Sequence, residues 1–274
     1  MTVGYGVTNA AAGLSASAFT WSTTGDNKSY LNDAAMDLQS SSTSGTTPIN
    51  LDINFGSATS LSAIAVLGHN LASWSAPTIT ISAADNSSFT VNNVTAKSAT
   101  TVTLTAPNNR DTLLQFPSVS RQYWRLAFND GGATRTALIG EVLCLATITS
   151  LTRSPAYGAS ETEEYVTNRA ELRTGNVRSS YLAGPIRTLK LPFIDLSGTS
   201  QRDELMAMFR ATRGGVSNLL WVFDVDSSAS AGDADSQACV WGKVQQTMGW
   251  VEGDYRLYTV DGLELRQVGR VVGT

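Results

Sequence analysis

One histidine and two cysteines are the residues in this 274-residue chain best suited to nucleophilic or metal chemistry. His69 lies in LGHNL, at the end of an apolar run, and Cys144 and Cys239 lie in VLCLA and ACVWG. A Ser-His-Asp or Cys-His hydrolase would have to run through His69, yet no G-x-S-x-G or comparable nucleophile signature accompanies it. A turn histidine held by its surroundings is the expectation. Neither cysteine has a partner at CxxC spacing, which excludes the usual zinc arrangements and leaves two buried thiols acting as small hydrophobes. Glycoside hydrolysis needs two convergent carboxylates. Glu161, Glu163 and Glu164 supply carboxylates, but glutamates beside arginines ordinarily balance charge. The acidic stretch DSSASAGDADSQ (226–237) lacks the ligand spacing of a calcium loop. Gly-rich nucleotide motifs are absent. These residues predict a protein that is not an enzyme and that takes no metal and no cofactor.

Composition narrows the class further. Apolar residues make up 42% and charged residues only 15%, which suits sheets joined by Ser/Thr/Asn/Gly loops rather than a disordered chain. A net charge of −4 argues against a nucleic-acid surface built on bulk electrostatics. Charge is lopsided: residues 1–146 hold 6 Lys+Arg and 8 Asp+Glu, against 13 and 15 in 147–274. No apolar run reaches the length of a membrane span. MTVGYGVTNA lacks the charged and apolar regions of a secretory signal, and two cysteines in separate halves, unsuited to a bridge, suggest a chain folded in a reducing cytoplasm.

The elements that must position these residues are strands. INLDINF (49–55) and TITISAAD (78–85) alternate apolar and polar residues, as half-buried strands do. SAIAVLGHN (62–70) is a more continuous apolar run, suited to a strand buried on both faces. VTAKSATTVTLTA (94–106) reads as a short hairpin or a pair of edge segments. TLLQFP (112–117) leads into RQYWRLAFND (121–130), and ALIGEVLCLA (137–146) closes the series. Recurrence every 8 to 20 residues, without a strongly periodic helix, predicts an antiparallel β-sandwich.

Composition then shifts to Arg, Glu and Gly, and a boundary falls at about 147–152. Residues 161–181 predict two strands around a Thr-Gly-Asn turn (174–176). RTLKLPFIDLS (187–197) predicts a strand in which Pro192 marks an edge or bulge. TSQRDELMAMFRATRGG predicts a helix over about 200–213. Thr199 or Ser200 is the candidate N-cap, Asp203 and Glu204 fill the first turn, and Gly214-Gly215 stop it. Leu205, Met208, Phe209 and Thr212 form its apolar stripe. Strands follow at 218–225, 238–247 and 255–268.

The order LDINFG (51–56), IAVLGHNL (64–71), ISAADNSSF (81–89), YWRLAF (123–128) and IGEVLCL (139–145) resembles the discoidin-like, coagulation-factor type C jelly roll found on bacteriophage tail proteins. Trp124, Leu126 and Phe128 would then pack the sandwich, with Tyr123, Arg125 and Ala127 on the other face and Arg125 paired to Glu141. RTLKLPF (187–193), the helix with its Gly-Gly stop, LLWVFD (219–224) and YTVDGLELRQV (258–268) resemble the tail-tube type fold of siphophage distal tail and baseplate hub-ring proteins. The expected organisation is a mainly β chain: a discoidin-like sandwich over 1–148 and a tail-tube-like, ring-forming β domain with one helix over 149–274.

The resemblance implies a structural subunit of the virion tail tip, assembled in the bacterial cytoplasm. It would form a ring about the DNA channel, with six copies favoured and three the alternative, without reading nucleic-acid sequence. Tail tube, baseplate proteins, fibres and receptor-binding proteins would be its partners. Discoidin-like modules also bind sugars through loops at one end, so a carbohydrate-binding adhesion protein is the second expectation. Trp21, Asn27, Tyr30, Asn70 and Trp74 are its candidate glycan- or partner-binding residues. Rings stack on sugar C–H groups and amides bond hydroxyls, although both tryptophans also suit a core.

Overall fold

The computed structural model describes residues 2–33, 38–103, 111–156, 159–171, 177–213, 216–225, 234–235, 239–244, 251–252 and 257–267. Gly4–Gly6 form a short strand, β1. The principal strands that follow are Phe19–Trp21 (β2), Ile49–Leu67 (β3), Thr78–Ala84 (β4), Val94–Thr103 (β5), Thr112–Asn129 (β6) and Glu141–Leu145 (β7). Beyond them lie Thr149–Ser150 (β8), Ser160–Glu171 (β9), Val177–Ser197 (β10), the helix Gly198–Ala211 (α1), Leu219–Val222 (β11), Ala234–Asp235 (β12), Cys239–Val244 (β13) and Leu257–Gln267 (β14). The protein is mainly β with one α-helix among the described residues.

The first sheet has the order β7-β3-β6-β4-β5-β12, with β2 also beside β3. The strand segments 49–55 and 62–67 belong to one long strand rather than two, and so do 112–117 and 121–129. The register between β3 and β6 breaks between Asn54 and Thr59 and again between Leu61 and Ala63. At these breaks the sheet folds over on itself. Phe116 and Trp124 show the bend: eight residues apart on one strand, their rings lie 5.7 Å from each other, where a straight strand would separate them by roughly 26 Å. The folded sheet encloses Leu51, Ile53, Leu61, Ile64, Val66, Trp124, Leu126 and Phe128 in one core. That is the expected sandwich. Residues 94–103 form one strand, not a hairpin.

Arg125 pairs with Asp52, through two bonds of 2.7 Å, and not with Glu141. Register explains the difference. Asp52 of β3 stands directly opposite Arg125 of β6, whereas Glu141 lies on β7, across β3, opposite Leu67. Phe89 adds its ring 4.0 Å below the guanidinium.

The second sheet runs β8-β1-β11-β13-β14-β10-β9, with Val251–Glu252 also beside β14. Pro192 sits at the register shift between Leu191 and Phe193, the bulge its ring demands. The helix begins at Gly198, so Asp203 and Glu204 fall in its second turn, not its first. Glu204 instead accepts hydrogen bonds from the Thr152 N–H and hydroxyl, at 2.8 and 2.6 Å. Leu205, Met208 and Thr212 are buried as expected. The Thr-Gly-Asn turn at 174–176, Gly214-Gly215 and most of the acidic stretch lie outside the described residues.

The boundary read at 147–152 separates segments that cross over. Gly4–Gly6, before it, are strand β1 of the second sheet, and Ala234–Asp235, after it, pair with β5 of the first. A third apolar cluster joins the two sheets. Alternation drives Ala63, Ala65 and Leu67 of β3, Leu113 of β6 and Leu143 and Leu145 of β7 out of the sandwich core, where they meet Leu220, Val222, Cys239 and Trp241. The run 63–67 is therefore buried on both faces, as its continuous hydrophobicity implied.

Candidate functional site

Because β3 starts and ends at the same end of the folded sheet as β4 starts and β6 ends, segments 22–27, 40–48, 68–77 and 130–140 converge there. Short strand pairs tie them together. Gly45–Thr46 pair with Thr134–Arg135, and Ser40–Ser42 lie between Gly25–Asp26 and Leu138–Ile139. Side chains complete the frame. Asp130 follows β6, and its carboxylate accepts the Ala76 N–H (2.6 Å), the Ser75 N–H (3.2 Å) and Arg135 Nε–H (2.6 Å). The Ala76 N–H foremost, aided by Arg135 and Ser75 against the cost of burial, holds this carboxyl below the usual carboxylate range. Arg135 Nη2 donates to Ser75 Oγ at 3.2 Å, and its side chain remains 30% exposed. The Thr47 hydroxyl accepts from the Asp130 and Gly132 N–H groups.

Trp21, Asn27, Asn70 and Trp74 lie in or beside these segments, and Tyr30 sits in the turn Lys28–Leu31 that follows Asn27; the five differ in what they leave exposed. Trp21 is buried, with its Nε1–H donated to Ser40 Oγ at 3.1 Å and its ring 6.2 Å from Phe128. Trp74 is likewise part of the sandwich core. Asn70 spends both amide atoms internally: Nδ2 donates to the Thr136 carbonyl and Oδ1 accepts the Leu138 N–H. Asn27 is exposed, with a left-handed backbone (φ 56°), and its carbonyl accepts the Tyr30 N–H. Tyr30 is half-buried. Asn27 and Tyr30 are thus the candidates still open to a partner, and Arg135 with Ser75 joins them. Nothing in the sequence marked Arg135 beyond its position just after the Asn-Asp-Gly-Gly turn.

His69 is buried. The Leu71 N–H points at its Nδ1 (3.3 Å), so the proton sits on Nε2 and is donated to Thr112 Oγ1 at 2.8 Å. Both ring nitrogens serve the fold. Burial, with Glu141 adding to it, pushes the Cys144 thiol far above its ordinary range, which keeps it protonated and unreactive. Among the described residues no group of three or more His, Cys, Asp or Glu side chains is positioned to hold a metal ion. No described helix is long and apolar enough to cross a membrane.

No protein-family model matches the chain, and no curated protein matches it. Solved structures with a similar arrangement include a chitosan-binding module from a Paenibacillus chitosanase/glucanase, at 20% identity and TM-score 0.36, covering 50% of this chain and 98% of that one. A Streptococcus pneumoniae fucose-binding module is similar at 13% identity and TM-score 0.40, over 52% and 96%. A family 32 carbohydrate-binding module of C. perfringens NanJ, in complex with galactose, is similar at 19% identity and TM-score 0.36, over 51% and 98%.

Proposed function

We propose that the protein is a non-catalytic adhesion protein that binds carbohydrate at the loop end of its sandwich. The observation that carries this reading is the charge-compensated, preorganised character of that end. Asp130 and Arg135 neutralise each other while fixing the 68–77 loop to the 130–140 loop, and the Thr47 hydroxyl ties in a third. What these loops leave exposed includes the Asn27 amide, the Ser75 hydroxyl and part of the Arg135 guanidinium, with half-buried Tyr30 three residues beyond Asn27. Such groups offer hydrogen bonds and an aromatic ring, which suits a hydroxyl-rich ligand. Rigid loops also reduce the ordering cost of binding. A glycan array probed with the full chain is expected to give selective binding. Tyr30→Ala and Asn27→Gly, the latter keeping the left-handed backbone accessible, each weaken it by at least about tenfold, or 1.4 kcal/mol, with both variants still melting cooperatively. An array without signal, or signal unaffected by both substitutions, contradicts the reading.

A second reading is a tail-tip ring subunit, surrounding a DNA channel and presenting the sandwich outward to fibres or receptor-binding proteins. One observation favours it. β9, 12 residues long, pairs only with β10 among the described residues, leaving its outer edge open to another chain. Head-to-tail sheet contacts close into rings. Native mass spectrometry is expected to give six copies, or three, under this reading; a monomer at high concentration contradicts it.

A further inference from the structure

Residues 3–10 read V-G-Y-G-V-T-N-A and bridge the two sheets. Their first part is a strand of the second sheet: Gly4, Tyr5 and Gly6 face Val222, Trp221 and Leu220 of β11, and Gly4 and Tyr5 face Ser150 and Thr149 of β8. The Leu151 N–H donates to the Val3 carbonyl (2.9 Å), and the Val225 N–H to the Thr2 carbonyl (2.6 Å). Their last part is stitched to the edge of β7 in the sandwich. The Ala10 N–H donates to the Cys144 carbonyl (2.8 Å), and the Cys144 N–H to Asn9 Oδ1 (2.9 Å). Asn9 Nδ2 donates to the Val142 carbonyl (3.2 Å).

Alternation fits this role. Val3 and Tyr5 point into the core beneath α1. Gly4 and Gly6 face the sandwich, where side chains are excluded. A Cβ on Gly4 would lie 2.7 Å from the Thr149 carbonyl oxygen and 2.6 Å from Val225, and one on Gly6 would lie 2.9 Å from Leu145. The first of these obstacles is backbone and cannot rotate away. Two connections therefore run between the units, Val7–Thr8 and Ala146–Ile148, over the shared apolar cluster. Away from them the units also meet where Ala234–Asp235 pair with β5 and where Gln267 Nε2–H donates to Asp111 Oδ2 (3.1 Å). A single short linker permits a hinge; a second one beside it restrains that hinge where the chain crosses.

We infer that residues 3–10 are a strap that fastens the second sheet to the sandwich, converting a hinge at 146–148 into a rigid joint. The strap fixes the loop end relative to the open edge of β9, whatever each of them binds. Hydrogen exchange on the full chain tests it, comparing Gly4→Val with the control Gly13→Ala, where an added Cβ meets nothing within 4 Å. In Gly4→Val, exchange at residues 219–222 and 149–151 rises about tenfold or more while β4 and the 123–128 part of β6 keep their protection. Gly13→Ala leaves both regions unchanged. A synthetic peptide of residues 2–10, added to Gly4→Val, restores protection at 219–222. Unchanged exchange in Gly4→Val overturns the strap. So does equal loss of protection in both units, because that would make the segment part of one common folding core.

Discussion

Arg125 illustrates how far a single residue's role depends on its strand's neighbours. Its guanidinium grips Asp52 with two bonds and rests on Phe89, yet both charged side chains keep more than a quarter of their surface in water. Solvent screening limits such a pair, so a double-mutant cycle with Asp52→Asn and Arg125→Gln is expected to give a coupling of about 0.2–1 kcal/mol. Phe89→Leu is expected to cost about 0.5–1 kcal/mol through the lost cation–π contact. Chemical denaturation of the four variants measures both. Asp130 has a different signature. Its folded carboxyl titrates below the unfolded value, so the unfolded chain binds the extra proton first and stability falls as pH drops through the folded pKa. The contribution is fully present above the ordinary carboxylate pKa of about 3.9 and is lost in the acid range below it. Thermal melts of Asp130→Asn against the parent chain are expected to converge at low pH and to separate above about pH 4. The residue types could be read from sequence in both cases; the partners could not. Sequence order makes Glu141, on the strand after Arg125's, its natural partner, and only the register reveals that β3 stands between them.

Among the elements, the clearest sequence signals were those of period and hydrophobic continuity. Alternation in 49–55 and 123–128 gave the inward faces correctly, and the unbroken apolar run before Gly68 announced burial on both sides. The polar residues at 56–60 suggested a gap between strands, whereas the chain continues through them with a shifted register because β6 bends alongside. Strands of two or three residues, β1 and β12 among them, carry no periodicity at all, and those are the ones that cross between sheets. The helix was legible from its stripe, but its start was misplaced by two residues, since Thr199 and Ser200 suit a cap as well as a first turn. The joint between the sheets depends on ordinary packing. Leu220→Ala removes a buried side chain from it and is expected to destabilise the protein by about 2–5 kcal/mol, read from denaturant midpoints. A change below 1 kcal/mol would mean that the cluster is not tightly packed.

At the scale of the molecule, the protein is a folded-over sheet carried on a second sheet, with strands exchanged in both directions. The loops that converge at the free end are held by Asp130, Thr47, Ser42 and Asn70 before any ligand arrives. That arrangement supports binding rather than turnover, since His69 and Cys144 are committed to the interior. Of the five residues the sequence nominated, the two tryptophans and Asn70 build the end, while Asn27 and Tyr30 remain available to a partner. Composition could nominate all five but could not separate structural from available ones, because that depends on which neighbours fill each side chain's hydrogen bonds.

The most direct measurement is an NMR titration of the isotopically labelled full chain with the sugars that an array selects. Carbohydrate binding at the loop end predicts saturable shifts in the amides of Asn27, Tyr30, Ser75 and Arg135, with β9 and β10 unmoved. Shifts confined to β9, or none at millimolar sugar, would contradict it.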